Sequence, residues 1–181
     1  MKLLSLWEPW ATLMAIGAKR IETRSWDTNY RGWIAIHASK GGLNQSDLER
    51  QCFEEGFYQA LMEFGPFKQQ VECSVRYKGW IKQVFPHGCI VAVMRLQTCW
   101  PTGLVERALS DSLGKEAMVR EQHFGDYSPG RWAWITTDCF RLPFPIPFRA
   151  TQRLMNLPPD TLCELRKQWT EHSPTGNDPK P

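Results

Sequence analysis

The chain has 181 residues, which is room for one ordinary domain. Hydrophobic residues make up 42% and charged residues 23%, and nine Trp and nine Phe supply too much apolar surface for a disordered chain. Lys and Arg exceed Asp and Glu by 22 against 19, with no block of like charge, so a polyanionic partner is permitted but a basic tail is excluded as its site.

Leu3 to Trp7 is a short apolar strand, followed by Pro9, which suits the first turn of a helix because its missing N–H costs nothing there. That helix carries Trp10, Leu13 and Met14 and stops at Gly17. Arg20 to Trp26 alternates: Ile21, Thr23 and Ser25 point one way, Arg20, Glu22, Arg24 and Trp26 the other. After the turn cluster at residues 27–32, Trp33 to Ala38 is almost continuously apolar, which predicts a strand covered on both faces. Residues 44–64 have the spacing of one helix, with Leu48, Cys52, Phe57, Leu61 and Phe64 on its apolar side.

Residues 65–88 show little period and predict a long excursion with one further short helix. Cys89 to Thr98 is the clearest strand, 104–118 has helical character, and Arg131 to Thr137 is another strand. Pro143, Pro145 and Pro147 at alternate positions admit only an edge strand or an extended segment. Asp160 is placed to cap a last helix over 161–170. Strands interleaved irregularly with helices predict an α+β domain over residues 1–170, on a mixed, curved sheet or barrel with flanking helices, and a disordered tail at 171–181.

Several chemistries lack their residues. The longest apolar run, Ile90 to Met94, is far short of the roughly 20 residues a membrane helix needs, so no membrane association is expected. The six cysteines form no Cys-x-x-Cys pair and the start is no secretory signal, which favours reduced thiols and a cytoplasmic location. His37, His87, His123 and His172 have no metal-ligand spacing, so no metal is expected. No glycine-rich phosphate loop follows a strand and no Gly-x-Ser-x-Gly elbow occurs, so neither a nucleotide cofactor nor a triad hydrolase is expected.

The segment Gly17-Ala18-Lys19-Arg20-Ile21-Glu22-Thr23-Arg24-Ser25-Trp26 gathers charge and an aromatic at one helix-to-strand junction. Read plainly, it is a solvated strand face with an exposed ion pair. Read functionally, Glu22 paired with Arg24 suits a base edge or a planar amide. Lys19 has the wrong parity for that face and joins it only if the preceding turn redirects it. Lys19 crowded by Arg20 and Arg24 is a candidate base or nucleophile, a role Glu22 works against by favouring the ammonium.

This segment, with its Pro-started helix before it and Arg31-Gly32-Trp33-Ile34-Ala35-Ile36-His37-Ala38-Ser39-Lys40 after it, resembles the ASCH domain family. Pro86-His87-Gly88-Cys89-Ile90-Val91-Ala92, Phe124-Gly125-Asp126-Tyr127 and Pro129-Gly130-Arg131-Trp132-Ala133-Trp134 agree with it in order, over residues 3–148. The resemblance implies a PUA-like β-barrel whose cleft, lined by the Gly-x-Lys motif, faces a nucleic acid or a nucleoside. Small bacterial members are amidohydrolases of acetylated cytidine, in which the motif Lys acts with a Thr three residues later and a distant Glu. Carried over, the Lys is Lys19, but Glu22 stands at the Thr position, as in a set of larger relatives. After residue 148, Ala150, Arg153 and Met155 replace expected glycines and a Trp.

The leading expectation is therefore a module binding single-stranded RNA or a modified nucleoside through Lys19, Glu22, Arg24, Trp26, Ser39 and Lys40. A small amidohydrolase using Lys19, Glu22 and Glu121, the last on a loop over the cleft, is the alternative. A third possibility is a protein-interaction domain with exposed aromatics. Trp7, Trp10, Trp132 and Trp134 read as core, and Trp26 as the stacking candidate.

Overall fold

The computed structural model describes residues 1–73, 77, 79–105, 115–151 and 153–172. The elements in chain order are β1 (Lys2–Leu6), α1 (Trp10–Ala15), β2 (Ile21–Arg24), β3 (Gly32–Ala38), α2 (Gln45–Phe53), α3 (Glu55–Leu61), α4 (Gly65–Glu72) and α5 (Trp80–Val84). Then come β4 (Cys89–Pro101), α6 (Lys115–His123), β5 (Trp132–Pro147), β6 (Met155–Asn156) and α7 (Pro159–His172). The six strands form one sheet in the order β2-β5-β4-β3-β1-β6. Only β1 and β3 run parallel; every other pair is antiparallel. Register shifts at Ile36/His37 on β3 and at three places between β4 and β5 add local twist, and the sheet curls into a half-barrel.

Strand alternation divides the core. Leu4, Leu6, Ile34, Ile36, Met94 and Trp134 pack with Ala11, Met14 and Ala15 of α1 on one face. Leu3, Ala35, Ile90, Val93 and Phe140 face the other way, against Leu165 and Trp169 of α7. The unbroken apolar run of β3 is thus explained: a helix covers each side. Leu13 of α1 joins a third cluster with Leu48, Phe57, Leu61, Phe67 and Trp80, so α2 to α5 form an outer helical layer.

Residues 44–64 form two helices, because Glu54 adopts an extended conformation (φ −63°, ψ 141°) between α2 and α3. The apolar spacing continues across the break, so periodicity alone cannot reveal it. The 65–88 excursion contains two short helices, α4 and α5, in place of the expected one. Residues 102–105 are helical and α6 begins at Lys115; the part of the 104–118 expectation between them lies outside the described residues. Pro143, Pro145 and Pro147 close β5, where β4 pairs on one side and β2 has already ended at Ile135, an edge as proline requires. Asp160 lies in the first turn of α7 behind Pro159 and is not its cap, and the helix continues to His172. The expected tail from residue 173 onward lies outside the described residues.

Candidate functional site

Gly17, at φ +77°, ends α1 in the left-handed region that glycine tolerates, and the Lys19 amide donates back to Leu13 O at 3.0 Å. This tight return overrides the strand parity and sends the Lys19 side chain inward, where it is fully buried. Its ammonium donates to Ile21 O and to Phe124 O at 3.2 Å, and it forms an ion pair with Glu22 Oε2 at 3.3 Å. Glu22 Oε1 in turn lies 3.2 Å from Arg24 Nε, and Arg24 Nη2 donates to Ser5 O at 3.0 Å. The motif is therefore a chain of charges running from a buried ammonium outward to a guanidinium 28% exposed. Glu22 itself is only 8% exposed, which corrects the plain expectation of a solvated strand face.

The outer end of this chain opens into a cleft of about 550 Å³. Glu22, Thr23 and Arg24 of β2 form one side, Phe124, Gly125, Asp126 and Arg131 a second, and Ser5, Leu6, Trp7, Trp10, Gln51, Glu54, Phe57 and His123 the remainder. The 124–126 backbone is pinned to β2. Asp126 N donates to Thr23 Oγ1 at 3.1 Å, Arg131 Nη2 donates to Thr23 O at 3.3 Å, and Arg131 Nε lies 3.3 Å from Asp126 Oδ2. Gly125 permits that approach, since a Cβ there would lie 3.1 Å from the Thr23 side chain and from the Tyr127 ring. Hydrogen bonds from Ser128, with Arg131 adding to them, hold the Asp126 carboxyl below the usual carboxylate range. Three carboxylates and two guanidiniums line the cleft, with the Lys19 ammonium behind Glu22, so the cleft is close to electrically neutral. Trp7 is 53% exposed at its edge, while Trp10 packs edge-on against Phe57 at 5.7 Å.

Of the residues singled out in the sequence, Glu22 and Arg24 line the cleft, and Lys19 lies behind them. Glu121 is not on a loop over it. It lies on α6, 3% exposed, and accepts from the amides of Arg20 at 2.5 Å and Ile21 at 3.2 Å. Burial pushes its carboxyl up, opposed by the Lys19 charge and by those amides. Trp26 is also displaced: its ring meets Trp134 edge-on at 4.6 Å, and it does not line the cleft. Ser39 and Lys40 do not line it either; Lys40 lines a different cavity. Trp134 is core as expected, but the exposed Trp7 is not.

Sequence reasoning passed over Gln51, Glu54, Asp126 and Arg131 as cleft residues. Asp126 and Arg131 stood inside stretches already noted; Gln51 and Glu54 carried no signal, lying on the polar side of an apolar period. A buried carboxyl at Glu8 was also missed. It is 2% exposed, accepts from Thr12 N at 3.1 Å through Oε2, and leaves Oε1 without a hydrogen-bond partner. Burial raises it to about 8, against the pull of the Thr12 hydroxyl and amide. Among the described residues no group of three or more His, Cys, Asp or Glu could hold a metal ion, and no helix is long and apolar enough to cross a membrane.

The chain is similar to known proteins in three ways. It is 54% identical over 39 residues to human Activating signal cointegrator 1, a stretch covering 20% of this chain and 7% of that protein. The match thus spans a small fraction of the relative's length. The crystal structure of ASCH from Zymomonas mobilis is 17% identical, with 91% of this chain and 92% of that one covered at a TM-score of 0.49. A point mutant of the same bacterial protein gives 16% identity, 91% and 94% coverage and a TM-score of 0.48. The ASCH domain profile matches residues 4–142, more than three quarters of the sequence, from within β1 through β4 and into β5 with the motif between them, and on that match the chain belongs to the ASCH domain family.

Proposed function

We propose that the protein binds single-stranded RNA, taking one base or modified nucleoside into the cleft beside Glu22 and Arg24. The observation that carries this is the fixed orientation of that pair at the wall of a nearly neutral, aromatic-edged cleft. Lys19 holds one Glu22 oxygen and Arg24 approaches the other, so the carboxylate is positioned before any ligand arrives. Each oxygen keeps a lone pair for an exocyclic amine or a ring N–H. Arg24 donates one N–H to Ser5, while its Nε lies 3.2 Å from Glu22 Oε1 as an ion pair without a hydrogen bond, which leaves N–H groups for a carbonyl oxygen or ring nitrogen. Trp7 offers a π-face at the rim, and stacking does not discriminate between bases. Charge neutrality favours a base over a phosphate in this cleft.

Fluorescence anisotropy with a mixed-sequence single-stranded RNA octamer tests the proposal. Binding is expected for the octamer, to be weaker for the same sequence as a duplex, and to fall at least tenfold in Arg24→Ala. No binding of the octamer, or equal binding by Arg24→Ala, overturns it.

A further inference from the structure

Trp7 lines the base cleft, and near it is a second cavity of about 370 Å³ lined by Glu8, Lys40, Gly42, Lys82 and His87 among others. They are near neighbours, because a Cβ on Gly42 would lie 3.4 Å from Trp7 Cγ, so the Gly41–Gly42 turn rests against the indole. The second cavity differs in charge. Lys40 and Lys82 both line it and are exposed, and neither takes part in an ion pair seen among the described residues.

The two lysines come from different elements, and a histidine lies between those elements. His87 Nδ1 lies 3.3 Å from Ser39 O and its Nε2 lies 3.1 Å from Lys82 O, so the ring sits between the turn bearing Lys40 and helix α5, with one tautomer donating to Ser39 and the other to Lys82. A Cβ on Gly88 would lie 3.7 Å from Lys40 Cβ, which brings the same turn against the start of β4. Among the described residues the cavity's one acid is Glu8, and burial raises its carboxyl to about 8. At neutral pH it is mostly protonated, so it does not compete for the lysines and has a proton to donate.

We infer that the cavity between Lys40 and Lys82 is a phosphate subsite, filled by a backbone phosphate adjoining the nucleotide whose base enters the cleft beside Trp7. The inference rests on the base-binding proposal above. It specifies an oligonucleotide as the ligand, since a free nucleoside carries no phosphate. The two ammonium groups bond non-bridging phosphate oxygens, and the base cleft supplies none of that charge.

The test measures octamer affinity against KCl concentration for the wild type, Lys40→Ala/Lys82→Ala, and a control, Lys115→Ala/Lys167→Ala, in which both substituted lysines are exposed and lie off this cavity. Two to four phosphate contacts give the wild type a log–log slope of about −1.4 to −2.8 on a single strand. In the cavity variant the slope is expected to become shallower by about 1.4, the value for two lost contacts, with the control unchanged. Thermal unfolding of the variant should match the wild type, because both side chains are exposed. An unchanged slope in the cavity variant, or an equal change in the control, overturns the phosphate subsite while octamer binding and its loss in Arg24→Ala leave the base cleft standing. An octamer that does not bind the wild type overturns the base cleft, and the subsite with it.

Discussion

Lys19 Nζ lies 3.3 Å from Glu22 Oε2 with no exposure of the lysine side chain, so the ammonium serves the carboxylate and not the solvent. In the proposed binding mode Lys19 is a positioning residue. It sets Glu22, Glu22 orients Arg24, and only the outer two reach the cleft.

Removing the ammonium leaves a carboxylate 8% exposed facing a single partner. Lys19→Met is expected to cost about 3–5 kcal/mol of stability, as breaking a buried pair from one side does. Urea denaturation measures it. A cost under 1 kcal/mol would mean that the pair is solvated in solution.

Arg24 separates binding from folding better than Glu22 does. Its side chain is 28% exposed, so Arg24→Ala should change stability by about 1 kcal/mol or less. Glu22→Gln, in contrast, weakens the hold on a fully buried ammonium and is expected to lower stability as well as binding. Paired denaturation and anisotropy curves for both variants check the difference.

Trp7 is expected to contribute by stacking. Trp7→Ala should lower octamer affinity by about 1–3 kcal/mol, the range for one base on an aromatic. Half-exposed as it is, its loss should leave the melting temperature within a few degrees of wild type. Quenching of tryptophan fluorescence on RNA addition, lost in the variant, gives an independent reading.

Glu8 makes stability depend on pH. Its folded value of about 8 stands above the ordinary 4.5, so the folded state holds a proton that the unfolded chain releases. Stability from this group is complete below about pH 4.5, falls by up to about 1.4 kcal/mol per unit as pH rises, and levels off above about 8. Glu8→Gln has no such proton to lose. Its stability relative to wild type should rise by a few kcal/mol between pH 5 and pH 8. Denaturation at the two pH values decides it; a difference independent of pH would show that Glu8 is ionised throughout.

Acetylated cytidine offers a test of chemistry. The Lys19 ammonium is buried, donates to two backbone carbonyls and is ion-paired with Glu22, and Glu121 is committed to the Arg20 and Ile21 amides. Neither is free to move a proton at a bound amide. Incubation with acetylcytidine is expected to yield no cytidine by absorbance. Turnover abolished by both Lys19→Ala and Glu22→Gln would instead establish an amidohydrolase.

Residues 3–38 announced their own architecture. The alternation in β2 and the unbroken apolar run in β3 report which faces must be covered, because side-chain direction follows from backbone period alone. The neighbouring charges of Glu22 and Arg24 were legible for the same reason. What covers each face was not. The acceptor that completes Lys19 comes from Phe124, and the carboxylate on the Arg20 and Ile21 amides comes from Glu121, both about a hundred residues away in sequence. Trp134 and Trp7 look alike in a local window, yet one is fully buried in the core and the other stands at 53% exposure at the rim of the cleft. Glu54, extended between two helices of continuous apolar spacing, and Glu8, buried beside α1, were decided in the same way. Local periodicity fixes the direction of a side chain, but its solvation and its partners depend on segments that only the folded chain brings together.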